Sequence, residues 1–119
     1  MLYEIKDVQQ EDGAPFCRWF ADREFDLFVW INPDDSFFGF QLCYQKNKNE
    51  KAITWKNTTG FAHERVDYGS RERANVTPVL VTDAVFPKDK VARQFLEKSK
   101  EIDPKISEFV YNKIIESRI

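Results

Sequence analysis

Few residues in this chain have the types and spacing that could do chemistry. His63 is the only histidine, and an imidazole titrates near neutrality, so it can serve as a general base. The ordinary role of such a residue is a hydrogen-bonded or exposed position on a strand. Cys43 can act as a nucleophile if an imidazole stands beside it. Metal binding needs His, Cys or carboxylate ligands at close spacing, and the sequence has no such cluster. Asp22, Glu24, Asp26, Asp34 and Asp35 fall in or beside turns, where Asp commonly bonds to local backbone. No glycine-rich phosphate loop, GxSxG or calcium loop occurs. The sequence therefore calls for no cofactor, metal or catalytic set.

These residues must be held by strands, and one hairpin organises them. Phe25 to Tyr44 reads FDLFVWIN, PDDS, FFGFQLCY. Two apolar strands flank a turn of Pro, Asp and Ser, residues that preset or hydrogen-bond a turn. With Asn32 opposite Phe37, Ile31 faces Phe38, Val29 faces Phe40, Leu27 faces Leu42 and Phe25 faces Tyr44. All eight then share one face, because side chains alternate along a strand. Trp30 opposite Gly39, Phe28 opposite Gln41 and Asp26 opposite Cys43 take the other face. A one-residue slip would exchange the two sets.

The rest of the chain extends this sheet. Leu2–Val8 and Phe16–Ala21 are expected strands before the hairpin, the second joined to it by an Asp22-Arg23-Glu24 turn. Lys51–Lys56, Phe61–Tyr68 and part of Val76–Val85 are expected strands after it. Tyr44 is placed opposite Ile53, and Leu42 opposite Trp55. Tyr68–Asn75 reads as a loop, and Pro78 confines the following strand to an edge or to a start after it. From Phe86 the pattern turns helical. Val91, Ala92, Phe95, Leu96, Ser99 and Ile102 recur at helical spacing. Asp103-Pro104 opens a second helix with a stripe of Ile106, Phe109, Val110 and Ile114, widened by Tyr111, Ile115 and Ile119. Strands followed by helices predict a single α+β domain over residues 1–119, mainly strands to residue 85 and helical from 86. Its sheet is an antiparallel meander of about five to seven strands, with the C-terminal helices packed on it.

The sequence has 119 residues, 42% hydrophobic and 15% aromatic, with a formal net charge of -2. This is enough apolar material for a core, and the charge weighs against general nucleic-acid binding. No segment reads as a leader or a membrane span, so a cytoplasmic protein is expected, with Cys17 and Cys43 as free thiols.

The face opposite the core set is expected to gather Phe28, Trp30, Gln41, Cys43, Thr54, Lys56, Phe61, His63 and Arg65. In that register Cys43 opposes Thr54 and Thr54 opposes His63. Thiol and imidazole are then roughly 10 Å apart, too far for activation. Aromatics mixed with Arg and amide groups characterise binding surfaces. The first expectation is a non-catalytic binding or interaction module, its partner another protein or a second copy in a homodimer. The second is a small-molecule binder or small enzyme with His63 and Arg65 in its site. The third is a single-stranded nucleic-acid binder, stacking bases on Phe28 and Trp30, with Lys46, Lys48, Lys51 and Lys56 on phosphates.

The segments RWF, DLFVW, GFQLCY, ITW, GFAH and TPVLVTD, from Arg18 to Asp83, resemble a set of small bacterial proteins. Those carry RWF, DLxVW, GFQLCYDK, ALTW and GFxH segments in the same order, and no activity is assigned to them. Here Gln45 stands at the Asp of that pattern. The resemblance implies a bacterial source and a cytoplasmic globular protein, and it implies no chemistry.

Overall fold

The computed structural model describes residues 1–46, 49–67, 79–82 and 85–118. Among these residues seven strands form one sheet in chain order: β1 (Tyr3–Ile5), β2 (Phe16–Ala21), β3 (Asp26–Ile31), β4 (Phe37–Tyr44), β5 (Lys51–Lys56), β6 (Gly60–Asp67) and β7 (Val79–Thr82). Every neighbouring pair is antiparallel. Two helices follow, α1 (Lys88–Lys98) and α2 (Pro104–Glu116). The α+β meander with C-terminal helices is therefore what the structure contains. The segment expected as a loop, Tyr68–Asn75, and Pro78 lie outside the described residues; β7 begins at Val79, on a sheet edge.

The β3–β4 register follows from the alternation. Leu27 pairs with Leu42, Val29 with Phe40, Phe28 with Gln41 and Trp30 with Gly39. Near the turn it changes. Ile31 pairs with Phe37, so Phe38 is the extra residue of a β-bulge. The turn is why. Asn32 N–H donates to the Ser36 carbonyl at 2.8 Å, and Asp35, at a φ of 70°, donates to the Asn32 carbonyl at 2.9 Å. The loop closes one residue earlier than expected, and the bulge absorbs the difference by re-aiming a side chain. Phe37, not Phe38, takes the inner position, where its ring stacks on Phe109 at 4.1 Å.

One face of the sheet packs against both helices. Leu27, Val29, Phe40, Leu42 and Ile53 are fully closed to water, as are Phe95, Val110 and Ile114 from the helices. Burying such side chains is worth about 1.5–3 kcal/mol each relative to exposure. In α2 the Asp103 carboxylate accepts the Lys105 N–H at 3.0 Å, and Pro104 occupies the first turn. This satisfies a donor that the helix itself leaves free. The helical stripes are narrower than expected. Leu96 is half exposed and Ile115 lies in water, while Ile119 is outside the described residues. Arg18 ties the layers together. Its guanidinium meets Glu4 at 2.7 Å and Asp103 at 3.3 Å.

Candidate functional site

The face turned away from the helices is built in cross-strand rows. The middle row runs Ile5, Trp19, Phe28, Gln41, Thr54, Ala62. One flanking row runs Cys17, Trp30, Gly39, Lys56. The other runs Ala21, Asp26, Cys43, Ala52, Glu64. Of the residues expected to share this face, Phe28, Trp30, Gln41, Cys43, Thr54 and Lys56 do.

His63 and Arg65 do not share it, and the reason is one residue in a turn. Lys56 pairs with Gly60, so the β5–β6 loop holds only Asn57, Thr58 and Thr59. Gly60 takes a φ of +78°, a conformation open to glycine at little cost. Three-residue hairpin loops commonly close this way. The expected four-residue loop would have put His63 opposite Thr54; the observed one puts it opposite Ile53. The slip carries His63, Phe61 and Arg65 to the helix side. His63 is 2% exposed. Its Nε2 lies 2.5 Å from the Tyr44 hydroxyl, and its ring lies against Phe86 at 4.9 Å. Arg65 pairs with Lys51 near the sheet margin, and its side chain is in water. A site joining His63 and Arg65 to Trp30 would require both faces of the sheet at once. The β4–β5 register also differs from expectation, by two residues, with Leu42 opposite Ile53 and Cys43 opposite Ala52. A shift of two keeps every residue on its face, so Thr54 and Lys56 stay where alternation put them.

The sequence pattern misses Trp19. An Asp22-Arg23-Glu24 turn places it on the wrong side. The actual turn pairs Asp22 with Phe25 and leaves only Arg23 and Glu24 as the loop. The Asp22 carboxylate accepts the N–H groups of Glu24 and Phe25, each at 2.8 Å. Burial opposes the ionised form of Asp22, but these two donors and Lys98 outweigh it and hold its pKa below the usual range. Trp19 thus lies beside Phe28, rings stacked at 5.6 Å. Its indole N–H donates to Asp26 at 3.0 Å, and Asp26 meets Lys46 at 3.2 Å. The alternation of Phe16, Arg18 and Phe20 against Cys17 and Trp19 is the signal that could have found it.

Trp30, half-buried, forms one wall of a groove of about 360 Å³ lined also by Gln10, Pro15, Cys17, Phe38 and Lys56. The bulge supplies Phe38. The Lys56 ammonium lies 5.5 Å from the centre of the Trp30 ring, a favourable cation–π distance. Gln10 braces the rim, exchanging two 2.8 Å bonds with the Cys17 backbone.

Burial holds both thiols towards their protonated form. Burial pushes Cys43 up to about 11, against a 3.5 Å bond from Gln41 that favours the thiolate. Burial also raises Cys17, aided by Glu11. Both cysteines are free. Thr54 is buried with no hydroxyl partner among the described residues. Among those residues no three metal-binding side chains converge, and no helix is long and apolar enough to cross a membrane. Compared with known proteins, the chain matches no family model, no curated protein and no solved structure.

Proposed function

We propose that this domain is a recognition module that binds another protein surface through the sheet face bearing Trp19, Phe28, Trp30, Gln41 and Lys56, and that the surface it meets is a second copy of itself. The observation that carries this is the Trp19–Phe28–Trp30 group, whose rings stay half-buried on the side away from the helices. Aromatics beside amide and cationic groups are the side chains that dominate binding energy at interfaces.

Charge favours a second copy. Lys56 lies in one flanking row and Glu64 in the other. A two-fold axis through the middle row exchanges these rows, so each Lys56 approaches a Glu64 of the second chain. Self-complementarity of this kind is what a two-fold interface requires. A nucleic-acid reading gains less, because Asp26 and Glu64 break up a phosphate track beside Phe28. A reading centred on His63 and Arg65 loses its geometry with the register.

Sedimentation across a concentration series tests the proposal. The wild type should self-associate. Trp30→Ala and Phe28→Ala should each weaken association at least about tenfold, roughly 1.4 kcal/mol, with circular dichroism unchanged. A wild type still monomeric at millimolar concentration overturns the self-pairing. Variants that fail to fold overturn the recognition surface itself, since the face would then be core.

A further inference from the structure

On the helix side, where the open end of the β3–β4 hairpin meets α1, lies a cleft of about 400 Å³. Ligand sites of small molecules span roughly 300–1,000 Å³. Its floor is made by Phe25, Tyr44 and Val91, each almost closed to water. Its walls are polar. Arg23, Lys46 and Lys90 contribute cations, and Gln45, Asn49 and Gln94 contribute amides.

The cations stand out in a chain of net charge -2. Glu24 is the one carboxylate among the lining residues, and it already faces Lys98 at 3.5 Å. Lys46 is fixed in place by the Asp22 carbonyl at 3.0 Å and Asp26 at 3.2 Å. Arg23 and Lys90 have no ion-pair partner among the described residues. The wall is also conformationally specialised. Gln45 and Asn49 both hold left-handed backbone, with φ of 57° and 56°. Such conformations cost energy and gather where ligands are held. Gln gains no local side-chain bond to offset this, as Asn does.

We propose that this cleft binds a small polar organic anion, one carrying carboxylate or phosphate oxygens, with no part in the Trp30 face. Arg23, between β2 and β3, offers a planar fork that matches either oxyanion, and Lys90 a point charge from α1. The amides of Gln45 and Gln94 can donate to, or accept from, hydroxyl or carbonyl groups on the remainder of the molecule. The closed apolar floor leaves little room for a large hydrophobic ligand and sets the class at compact and polar.

Residue-resolved NMR titration of the whole chain tests this, with succinate, inorganic phosphate and uncharged butanediol as probes. Succinate or phosphate should give saturable shifts centred on Arg23, Gln45 and Gln94, with a dissociation constant of about 1 mM or tighter. Saturation by succinate alone assigns a carboxylate, by phosphate alone a phosphate, and by both the shared oxyanion chemistry. Butanediol should not saturate. The double substitution Arg23→Gln with Lys90→Gln should weaken binding at least tenfold, whereas Lys105→Gln should leave it unchanged. Both altered side chains are exposed, so the fold should survive and the spectrum will show whether it does. Lack of saturation by either anion, shifts scattered over all surface lysines, or undiminished binding in the double variant overturns the proposal.

Discussion

The two faces of this sheet come from the same strands and the same alternation, yet they end in different environments. The inner face presents Leu27, Val29, Phe40, Leu42 and Ile53, each sealed by the helices. The outer face presents Trp19, Phe28 and Trp30, no smaller and no less aromatic, and leaves them half-buried. Hydrophobic size therefore does not decide which face becomes core. What decides is where the helical stripes of α1 and α2 can land, and Phe109 with its stack on Phe37 marks that side. The outer aromatics are held instead by polar contacts: Trp19 by Asp26 and Trp30 by Lys56.

The contrast is sharpest at Phe40. Removing its ring leaves a cavity among inner side chains, and Phe40→Ala should cost roughly 3–5 kcal/mol in chemical denaturation. A midpoint close to wild type would erase the distinction between the faces.

Cys43 tests whether the outer face is open throughout. It points outward yet is 6% exposed, and its pKa rises from 9.0 to about 11. The folded state then holds the thiol proton more tightly than the unfolded chain. Stability is full below about pH 9 and falls as pH rises towards 11. At about 1.4 kcal/mol per unit the loss is on the order of 3 kcal/mol. Unfolding free energies of wild type and Cys43→Ala, compared from pH 8 upward, should diverge in that window. Parallel curves would mean that Cys43 is as wet as its neighbours.

Gly39 sits between the faces in its energetics. A Cβ there would run into the Trp55 carbonyl oxygen and approach the Lys56 Cα at 3.0 Å. Backbone cannot yield as a side chain does, so Gly39→Ala should lose about 1–3 kcal/mol. The glycine thus serves the close approach of β5. An unchanged thermal midpoint would show that the strands are further apart than this.

The smallest effect belongs to Trp30. Trp30→Ala should cost about 1 kcal/mol or less of stability, as surface changes do, while abolishing most self-association. A loss as large as that at Phe40 would make the two faces equivalent.

How far the fold and the candidate site are legible in the sequence depends on what each segment encodes. The β3–β4 register is readable because both faces are patterned, so only one pairing keeps Val29 with Phe40. The helices announce themselves through Asp103-Pro104 and the Ile106–Val110–Ile114 spacing. The turns are not readable to one residue. Asn57-Thr58-Thr59-Gly60 is a turn in any register, and whether Gly60 lies inside the loop or pairs with Lys56 is a matter of backbone angle. That single choice moves His63 from a candidate site into the core. The Asp22–Phe25 turn does the reverse for Trp19. The cleft beside α1 is illegible for a different reason: Arg23, Lys46 and Lys90 meet only when a helix folds back over a hairpin end.

One backbone bond has consequences for how the chain assembles. Leu2 donates its N–H to the Lys98 carbonyl at 2.9 Å. Among the described residues every strand pair joins sequence neighbours, so most of the sheet's contacts are local, which favours rapid formation. The Leu2–Lys98 bond and the Arg18–Asp103 pair span most of the chain and gain nothing until the sheet exists. They act as a late clasp. Loosening it should speed unfolding more than it slows folding, because contacts made after the transition state act on the unfolding rate. On that account the contacts between the chain's first strands and its helices bear on the lifetime of the native state rather than on the speed of its formation.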